Sequence, residues 1–427
     1  MDRKILTAVL FVITYVLLVL KPKIRHIVAL ISAFLFIIIG IIPVKNIIPS
    51  INWNVLGILF GTMGVVTLLI DSKIPALLGD KIIDKMPNVQ MAIFALAVFT
   101  GVISAFAENV STLLLVAPVA FSICKRIKIS PVPVIIAIAV SSNLQGAATL
   151  VGDPTSMLLA GYAHMNFLDF FWYHHHLSIA VPTEIGAIAA AFVLLYIFRR
   201  EKTPIHLEEK TVVKDWFPGI LALSMVGTLV LVSFLPYKNI NGIVCISFML
   251  IGIVYELFRK EFVLTKNVFK EVDWDTILLL IGLFLIVRAL INVGIVEDLA
   301  HFLAHLSKGS IFLGYTIIVW GSVVFSAFID NVPYVATMLP IAGSMAMILN
   351  APIELFLFGL LIGATLGGNL TPIGASTNIA ATGLLRKHGY ETSFWDFSRI
   401  GVPFTLAAVT AGYISLYLIM LPFISRM

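Results

Sequence analysis

Charge is what this sequence has least of. Of its 427 residues only 12% are Asp, Glu, Lys or Arg, while 60% are hydrophobic. A soluble domain carries about 25% charged residues, so a water-soluble globule is excluded. A mean hydropathy of +1.04 points the same way. Cysteine is almost missing: Cys124 and Cys245 lie in or beside apolar runs, which reads as two small buried hydrophobes and excludes a disulfide framework. No G-x-x-x-x-G-K-[ST] loop is present, which argues against a nucleotide-driven pump. No His-Glu-x-x-His motif appears, and no Ser/Lys or Asp pair stands at a protease-like spacing, which argues against a membrane-embedded enzyme. Short alternating segments are lacking too; the apolar runs are long and continuous, so the chain is helical and not a barrel. The net charge of +5 does not imply nucleic acid. The basic residues sit in short loops, where they orient a protein whose partners are the lipid bilayer and a small ion.

What is present is said twice. Ser104-Ala-Phe-Ala-Glu-Asn-Val110 recurs as Ser326-Ala-Phe-Ile-Asp-Asn-Val332, and from Asn109 to Asn331 is 222 residues. The same spacing pairs Pro118 with Pro340, Gly146 with Gly368, Thr149 with Thr371, Gly152 with Gly374, Thr155 with Thr377 and Gly161 with Gly383. A constant spacing without a gap identifies an internal duplication.

Apolar runs fall at 5–20, 27–42, 53–70, 91–123, 133–163 and 177–198. After a polar stretch at 199–215 they resume at 216–235, 240–258, 274–293, 311–349, 355–385 and 400–423. The first run reads as a span, because no small-residue cleavage site follows it. The 91–123 run is about 50 Å long as one helix at 1.5 Å per residue. That is too long for one span and too short for two with a loop. Two half-depth helices meeting at Glu108-Asn109 fit, as a re-entrant hairpin; 311–349 reads likewise.

The expected fold is an all-α polytopic membrane protein of two inverted repeats. Each repeat has five membrane-crossing helices, one re-entrant hairpin and one broken helix. Residues 1–198 form the first repeat, with its hairpin at about 91–124 and its broken helix at about 133–163. Residues 199–215 form a linker, and 216–427 the second repeat, with hairpin and broken helix at about 311–349 and 355–386. With this count most of the 28 lysines and arginines fall on one side. Lys21, Lys23 and Arg25, the 125–128 cluster, the linker, Lys260, Lys266, Lys270, Arg386 and Lys387 are all there. The positive-inside rule makes that side cytoplasmic, in the cell membrane, with both termini outside.

Each repeat carries two polar breaks. A helix broken in mid-membrane exposes bare N–H groups, which favour anions, and bare C=O groups, which favour cations. Gly152, Gly374, Pro154, Pro333 and Pro372 permit the breaks. Ser111, Thr112, Asn109, Thr149, Thr155 and Ser156 supply uncharged donors and acceptors in the first copy; Asn331, Asn369, Thr371, Ser376, Thr377 and Asn378 do so in the second. Glu108, Asp153 and Asp330 sit where an acid costs about 2.5–3.5 kcal/mol to insert; they read as cation or proton ligands and equally as helix N-caps. Arg288, inside a span, is a partner for one of these acids or for an anion. Glu184 is a candidate proton carrier. His174-His175-His176, beside Trp172 and Tyr173, reads as an interface belt and not a metal site. Trp53 and Trp274, at matching places, read as interface anchors.

At these residues the chain resembles the ion transporter superfamily over nearly its whole length. Asp330-Asn-Val-Pro333, Leu366-Gly-Gly-Asn-Leu-Thr-Pro-Ile-Gly-Ala-Ser-Thr-Asn378 and Gly152-Asp-Pro154 are similar to the branch with a citrate-transporter-like domain. That branch holds arsenite permeases, D-type sodium/proton antiporters and the melanosomal P protein. The resemblance implies a transport part moving against a scaffold part, and a homodimer. In the related dicarboxylate/sodium symporters the hairpin tips read Ser-Asn-Thr; here they read Glu108-Asn-Val110 and Asp330-Asn-Val332, with an acid in place of Ser. The expected function is secondary active transport of a small ion by alternating access, with no cofactor and with Na⁺ or H⁺ as coupling ion. The favoured cargo is an inorganic or carboxylate anion; the alternative is Na⁺/H⁺ antiport. A channel fits less well, since duplicated inverted repeats suit rocking about one site better than a continuous pore.

Overall fold

The computed structural model describes residues 3–204, 211–236, 239–259 and 268–425. Lys210, Lys238, Lys260, Lys266 and Arg426 of the loop-charge pattern lie outside the described residues. Single turns aside, the helices of the described residues form two series of nine. The first is α1 (Arg3–Leu20), α2 (Arg25–Ile38), α3 (Trp53–Asp71), α4 (Ile74–Asp84), α5 (Val89–Ser104), α6 (Asn109–Ile127), α7 (Val132–Gln145), α8 (Pro154–Ala163) and α9 (Ala180–Ile197). The second is α10 (Phe217–Val232), α11 (Asn241–Phe258), α12 (Trp274–Asn292), α13 (Ile295–Leu306), α14 (Ile311–Ser326), α15 (Asn331–Ile348), α16 (Ile353–Leu361), α17 (Ser376–Lys387) and α18 (Phe394–Ile424). Each helix of the first series has its counterpart nine labels later. Among the described residues 8 helices are long and apolar enough to cross a membrane, or up to 9 if a bent pair counts as one span. Among the described residues the one departure from an all-helical chain is a two-stranded ribbon, β1 (Trp172–Tyr173) and β2 (His176–Leu177). His174 and His175 form its turn, both at positive φ.

The contacts between the series are reciprocal. α3 packs on α11 while its counterpart α12 packs on α2. α6 meets α17 and α15 meets α8; α7 meets α17 and α16 meets α8. Small residues let these helices approach. A Cβ on Gly61 would lie 2.3 Å from the Cys245 backbone, and one on Gly282 would lie 2.7 Å from Ala29. Without a hydrophobic drive between helices in lipid, such close backbone packing is what holds them together. Cys124 and Cys245 are free and buried. Trp53 and Trp274 repeat one contact, their Nε1 groups donating to Ile48 O and Phe269 O, five residues back in each case, at 3.2 and 3.0 Å.

Two features depart from the sequence expectations. The helices α4 and α13 fall in stretches read as loops. Their apolar residues cover one side only: in α13, Ile295, Val296, Ala300 and Ala304 are buried while Glu297 and Asp298 open the helix. That spacing is too sparse to register as an apolar run. α13 meets α14 at 115°. The arms expected to be half-depth are longer than that. α5 and α6 have 16 and 19 residues, α14 and α15 have 16 and 18. At 1.5 Å per residue these are about 24–29 Å, against a hydrocarbon core of about 30 Å. The polar stretch after α9 lies along α4 and α5: Gln90 N donates to Glu201 O at 2.7 Å and Thr211 N to Asp80 at 2.9 Å.

Candidate functional site

The four polar breaks meet. The turn between α5 and α6 and the turn between α14 and α15 face the interruptions after α7 and α16, around a cavity of about 30 Å³. Its lining includes Glu108, Asn109, Asp153, Asn331, Ser376 and Thr377 from the residues expected on sequence grounds. It also includes Arg25, Asn143, Asp273 and Thr276, which were not expected. Asn109 and Asn331 are 2% and 3% exposed, so both tips lie inside the protein.

The same device presses each break against its tip. Thr149 Oγ1 donates to Ala105 O, and Thr371 Oγ1 to Ala327 O. Ser156 Oγ donates to Gly146 O at 2.9 Å, while its counterpart Asn378 donates to Gly368 O and Thr371 O at 3.0 Å. The approach leaves no room for side chains. A Cβ on Gly152 would lie 2.7 Å from Gly146 O, and one on Gly374 2.5 Å from Gly368 O. Thr149, Gly152, Ser156, Thr371, Gly374 and Asn378 therefore hold the frame and do not line the cavity. Ser111 contributes its backbone N–H to Glu108, and Thr112 Oγ1 bonds back to Glu108 O at 3.0 Å.

Glu108 and Asp153 are caps and lining at once, and Asp330 is a cap just behind the lining. Glu108 accepts from Val110 N and Ser111 N at 3.0 and 2.7 Å, closing the start of α6. Asp153 accepts from Thr155 N at 3.3 Å and from Asn109 Nδ2 at 3.1 Å. Asp330 accepts from Val332 N at 3.1 Å with one oxygen. Its other oxygen meets Arg25 Nη1 at 2.5 Å and Ser376 Oγ at 2.8 Å. Arg25 also reaches Ser376 Oγ at 3.3 Å. Among the described residues Arg25 is the one cation lining the cavity, facing Glu108, Asp153 and Asp273 as well as its own partner.

A buried amide chain ties the halves together. Asn109 accepts from Ser104 Oγ at 2.7 Å and donates to Asn143 Oδ1 at 3.2 Å. Asn143 donates to Thr365 O at 3.2 Å and to Asn369 Oδ1 at 3.1 Å, and Asn369 donates to Val140 O at 3.1 Å. Thr155 and Thr365 hydroxyls meet at 3.0 Å. Thr365 and Asn143 are counterparts, and Thr365 sits in a π-helical segment, Ile362–Leu366, that the first half lacks. Asn331 differs: its side chain makes no hydrogen bond among the described residues.

Other candidates lie elsewhere. Glu184 accepts from Gln145 Nε2 at 3.0 Å in a separate, mostly apolar cavity of about 250 Å³. Arg288 pairs with none of the acids among the described residues, and its Nε is buried without a partner. His174 Nδ1 meets Glu354 Oε1 at 2.7 Å. No cluster of His, Cys, Asp or Glu fit for a metal ion occurs among the described residues. Arg25 was hidden because it follows Lys21 and Lys23 and counts as a loop charge; Asp273 was hidden beside the more conspicuous Trp274. Asn143 carried a usable signal, as an amide deep in the 133–163 apolar run.

The model of the family described as citrate transporter matches residues 15–363. The chain belongs to the citrate transporter family. It is a membrane transporter and not an enzyme. It is 31% identical to a Mycobacterium tuberculosis protein described as an uncharacterized transporter, over 97% of this chain and 98% of that one. It is 26% identical to the P protein of Mus musculus, over 86% of this chain and 54% of that one. In fold it is similar to the YdaH transporter of Alcanivorax borkumensis, with TM-score 0.63 at 14% identity, covering 88% of each chain. A similar match is to MtrF of Neisseria gonorrhoeae, TM-score 0.59 at 14% identity, covering 88% and 82%.

Proposed function

We propose that this transporter is a proton-driven secondary carrier of a small carboxylate anion, working by alternating access. The observation that carries this is the Arg25–Asp330 pair. A guanidinium is the natural bidentate partner of a carboxylate, and here its partner is Asp330, 2.5 Å away. While Asp330 is ionised, Arg25 is neutralised and the chamber is lined by acids, so an anion is repelled. A proton on Asp330 frees Arg25 for the carboxylate of a substrate, and Ser376 and Asn331 stand beside it to complete the contact. Entry of the anion and uptake of a proton are thus one event, which is symport.

The architecture that supports this reading is two inverted repeats, residues 1–198 and 216–427, joined by the 199–215 linker. In each repeat three helices, the broken α7–α8 or α16–α17 and a last helix make five crossings, and the α5–α6 and α14–α15 pairs are re-entrant. An odd count inverts the second repeat. In this reading the positive-inside rule puts the lysine-rich start of α2 and of α12 on the cytoplasmic side of the cell membrane, and the chamber faces the cytoplasm. Citrate, the cargo in the family's description, is the first anion to test. Proteoliposomes should take up labelled citrate faster with an inward proton gradient, and Arg25→Met should abolish it; uptake indifferent to Arg25 sinks the proposal.

A second reading, Na⁺/H⁺ antiport, is favoured by one observation. The cavity of about 30 Å³ has the volume of about one water's share of the liquid and is lined by three acids besides the Arg25 pair. That suits a bare cation. A Na⁺-dependent pH change with no organic anion present would make it the better reading.

A further inference from the structure

Internal duplication lets one half be compared with the other atom by atom, and at one contact they disagree. In the first half the start of α3 closes on α8. Asn52 Nδ2 donates to Gly161 O at 3.3 Å, and a Cβ on Gly161 would lie 2.5 Å from both Asn52 Nδ2 and Val55 Cγ2. Meanwhile Asn52 Oδ1 accepts from Val55 N at 3.1 Å, capping the helix. The counterparts are Asp273 and Thr276 at the start of α12 and Gly383 on α17. There a Cβ on Gly383 would meet nothing within 4 Å, and Asp273 and Thr276 line the open cavity instead. One side of the chamber is shut by a contact that the other side has the parts for but does not make.

The parts differ in one chemical respect. Asn52 has an amide donor for the glycine carbonyl; Asp273 does not. Asp273 Oδ1 accepts from Thr276 N at 3.0 Å and Oδ2 from Thr276 Oγ1 at 2.5 Å. Docked as Asn52 is docked, its outer oxygen would face Gly383 O, acceptor against acceptor, and burying an unpaired carboxylate there is costly. With a proton on that oxygen, the O–H donates to Gly383 O and the contact is complete.

We infer that Asp273 is a gate carboxylate: protonated, it docks on Gly383 and shuts the cytoplasmic side as Asn52 on Gly161 now shuts the other. This rests on the alternating-access reading above. The proton arrives from the open vestibule and leaves to it when the gate reopens, so the charge balance closes within one cycle. The charged groups facing Asp273 are Arg25 on α2 and Glu108 at the first tip, with Asp153 lining the same cavity; Asp275, on its own helix, meets His26 at 3.4 Å. α17 would bring Arg386, three residues beyond Gly383. The direction of the pH dependence is the decisive readout.

The test is a disulfide between Thr276→Cys and Gly383→Cys, in full-length protein with Cys124 and Cys245 replaced by Ala. It reads distance and not transport, so it stands or falls separately from the identity of the cargo. With an added thiol oxidant such as copper phenanthroline, the cross-link should form both with Asp273 in place and with Asp273→Asn, which reproduces the chemistry of Asn52. Because disulfide chemistry itself slows as thiolates protonate, each yield is read relative to the Asp273→Asn version at the same pH; that ratio should rise severalfold on acidification. A ratio that is flat or falls on acidification overturns the gate carboxylate. As a check independent of the introduced cysteines, Gly383→Leu has space in the present state and should keep wild-type thermal stability while losing transport. Transport at the wild-type rate in Gly383→Leu would overturn the gate.

Discussion

In the first half of the chamber Asn109 spends its whole amide on Ser104, Asn143 and Asp153, and Glu108 spends its carboxylate on the start of its own helix. In the second half Asn331 leaves its amide unspent and Asp330 shares its carboxylate with Arg25. The two tips are built alike, down to the threonine that straps each break to its tip. One copy has become an anchored wall, and the other keeps groups that a ligand can take over. Duplication supplies the frame, and divergence at a few polar positions decides which side of the frame does the binding.

The largest effect should come from breaking the pair that distinguishes the second half. Arg25→Met should abolish transport and, by leaving Asp330 buried without a cation, cost about 3–5 kcal/mol of stability. Arg25→Met with Asp330→Asn should recover most of the thermal stability and none of the transport; a double variant as unstable as the single one would mean that Arg25 is held for packing. Next come the two asparagines. Asn331→Ala should raise KM about tenfold, the worth of one good hydrogen bond to a charged group, with an unchanged Tm. Asn109→Ala should do the reverse, losing about 1 kcal/mol for each of its hydrogen bonds and lowering Tm first. Equal effects of the two substitutions on both quantities would erase the distinction drawn between the halves. The smallest effect tests the frame: Thr149→Val and Thr371→Val should each lose about 1 kcal/mol, by the same amount within error, since each removes one strap to the counterpart carbonyl. Thermal unfolding in detergent compares them directly.

The frame was legible in the sequence because its constraints are repeated. Gly152 and Gly374, Thr149 and Thr371, and the two asparagines announce themselves by recurring at one spacing, and the structure finds the glycine and threonine pairs in matching surroundings. The chamber's charge was much less legible, for the same reason. Arg25 and Asp273 have no charged counterparts: Asn241 begins α11 where Arg25 begins α2, and Asn52 stands where Asp273 does. A search for what the halves share passes over what they do not. Arg25 also sits five residues past the end of α1, where a cation ordinarily meets lipid headgroups, and only the tertiary fold swings α14–α15 across to meet it. The amphipathic α4 and α13 escaped because one-sided burial dilutes an apolar run. The cargo stayed open because carbonyl and amide ends of broken helices attract opposite charges, and which end a ligand reaches is a matter of side chains that only the fold brings together.

The central claim is that a proton and an anion take the two partners of one salt bridge, Asp330 and Arg25, and therefore travel together. The most direct measurement is the internal pH of proteoliposomes when citrate is added outside, with no sodium and no initial pH gradient. The account predicts acidification of the lumen in step with citrate entry, and neither in Arg25→Met. Citrate entering with no movement of protons, or protons moving undiminished in Arg25→Met, would contradict it.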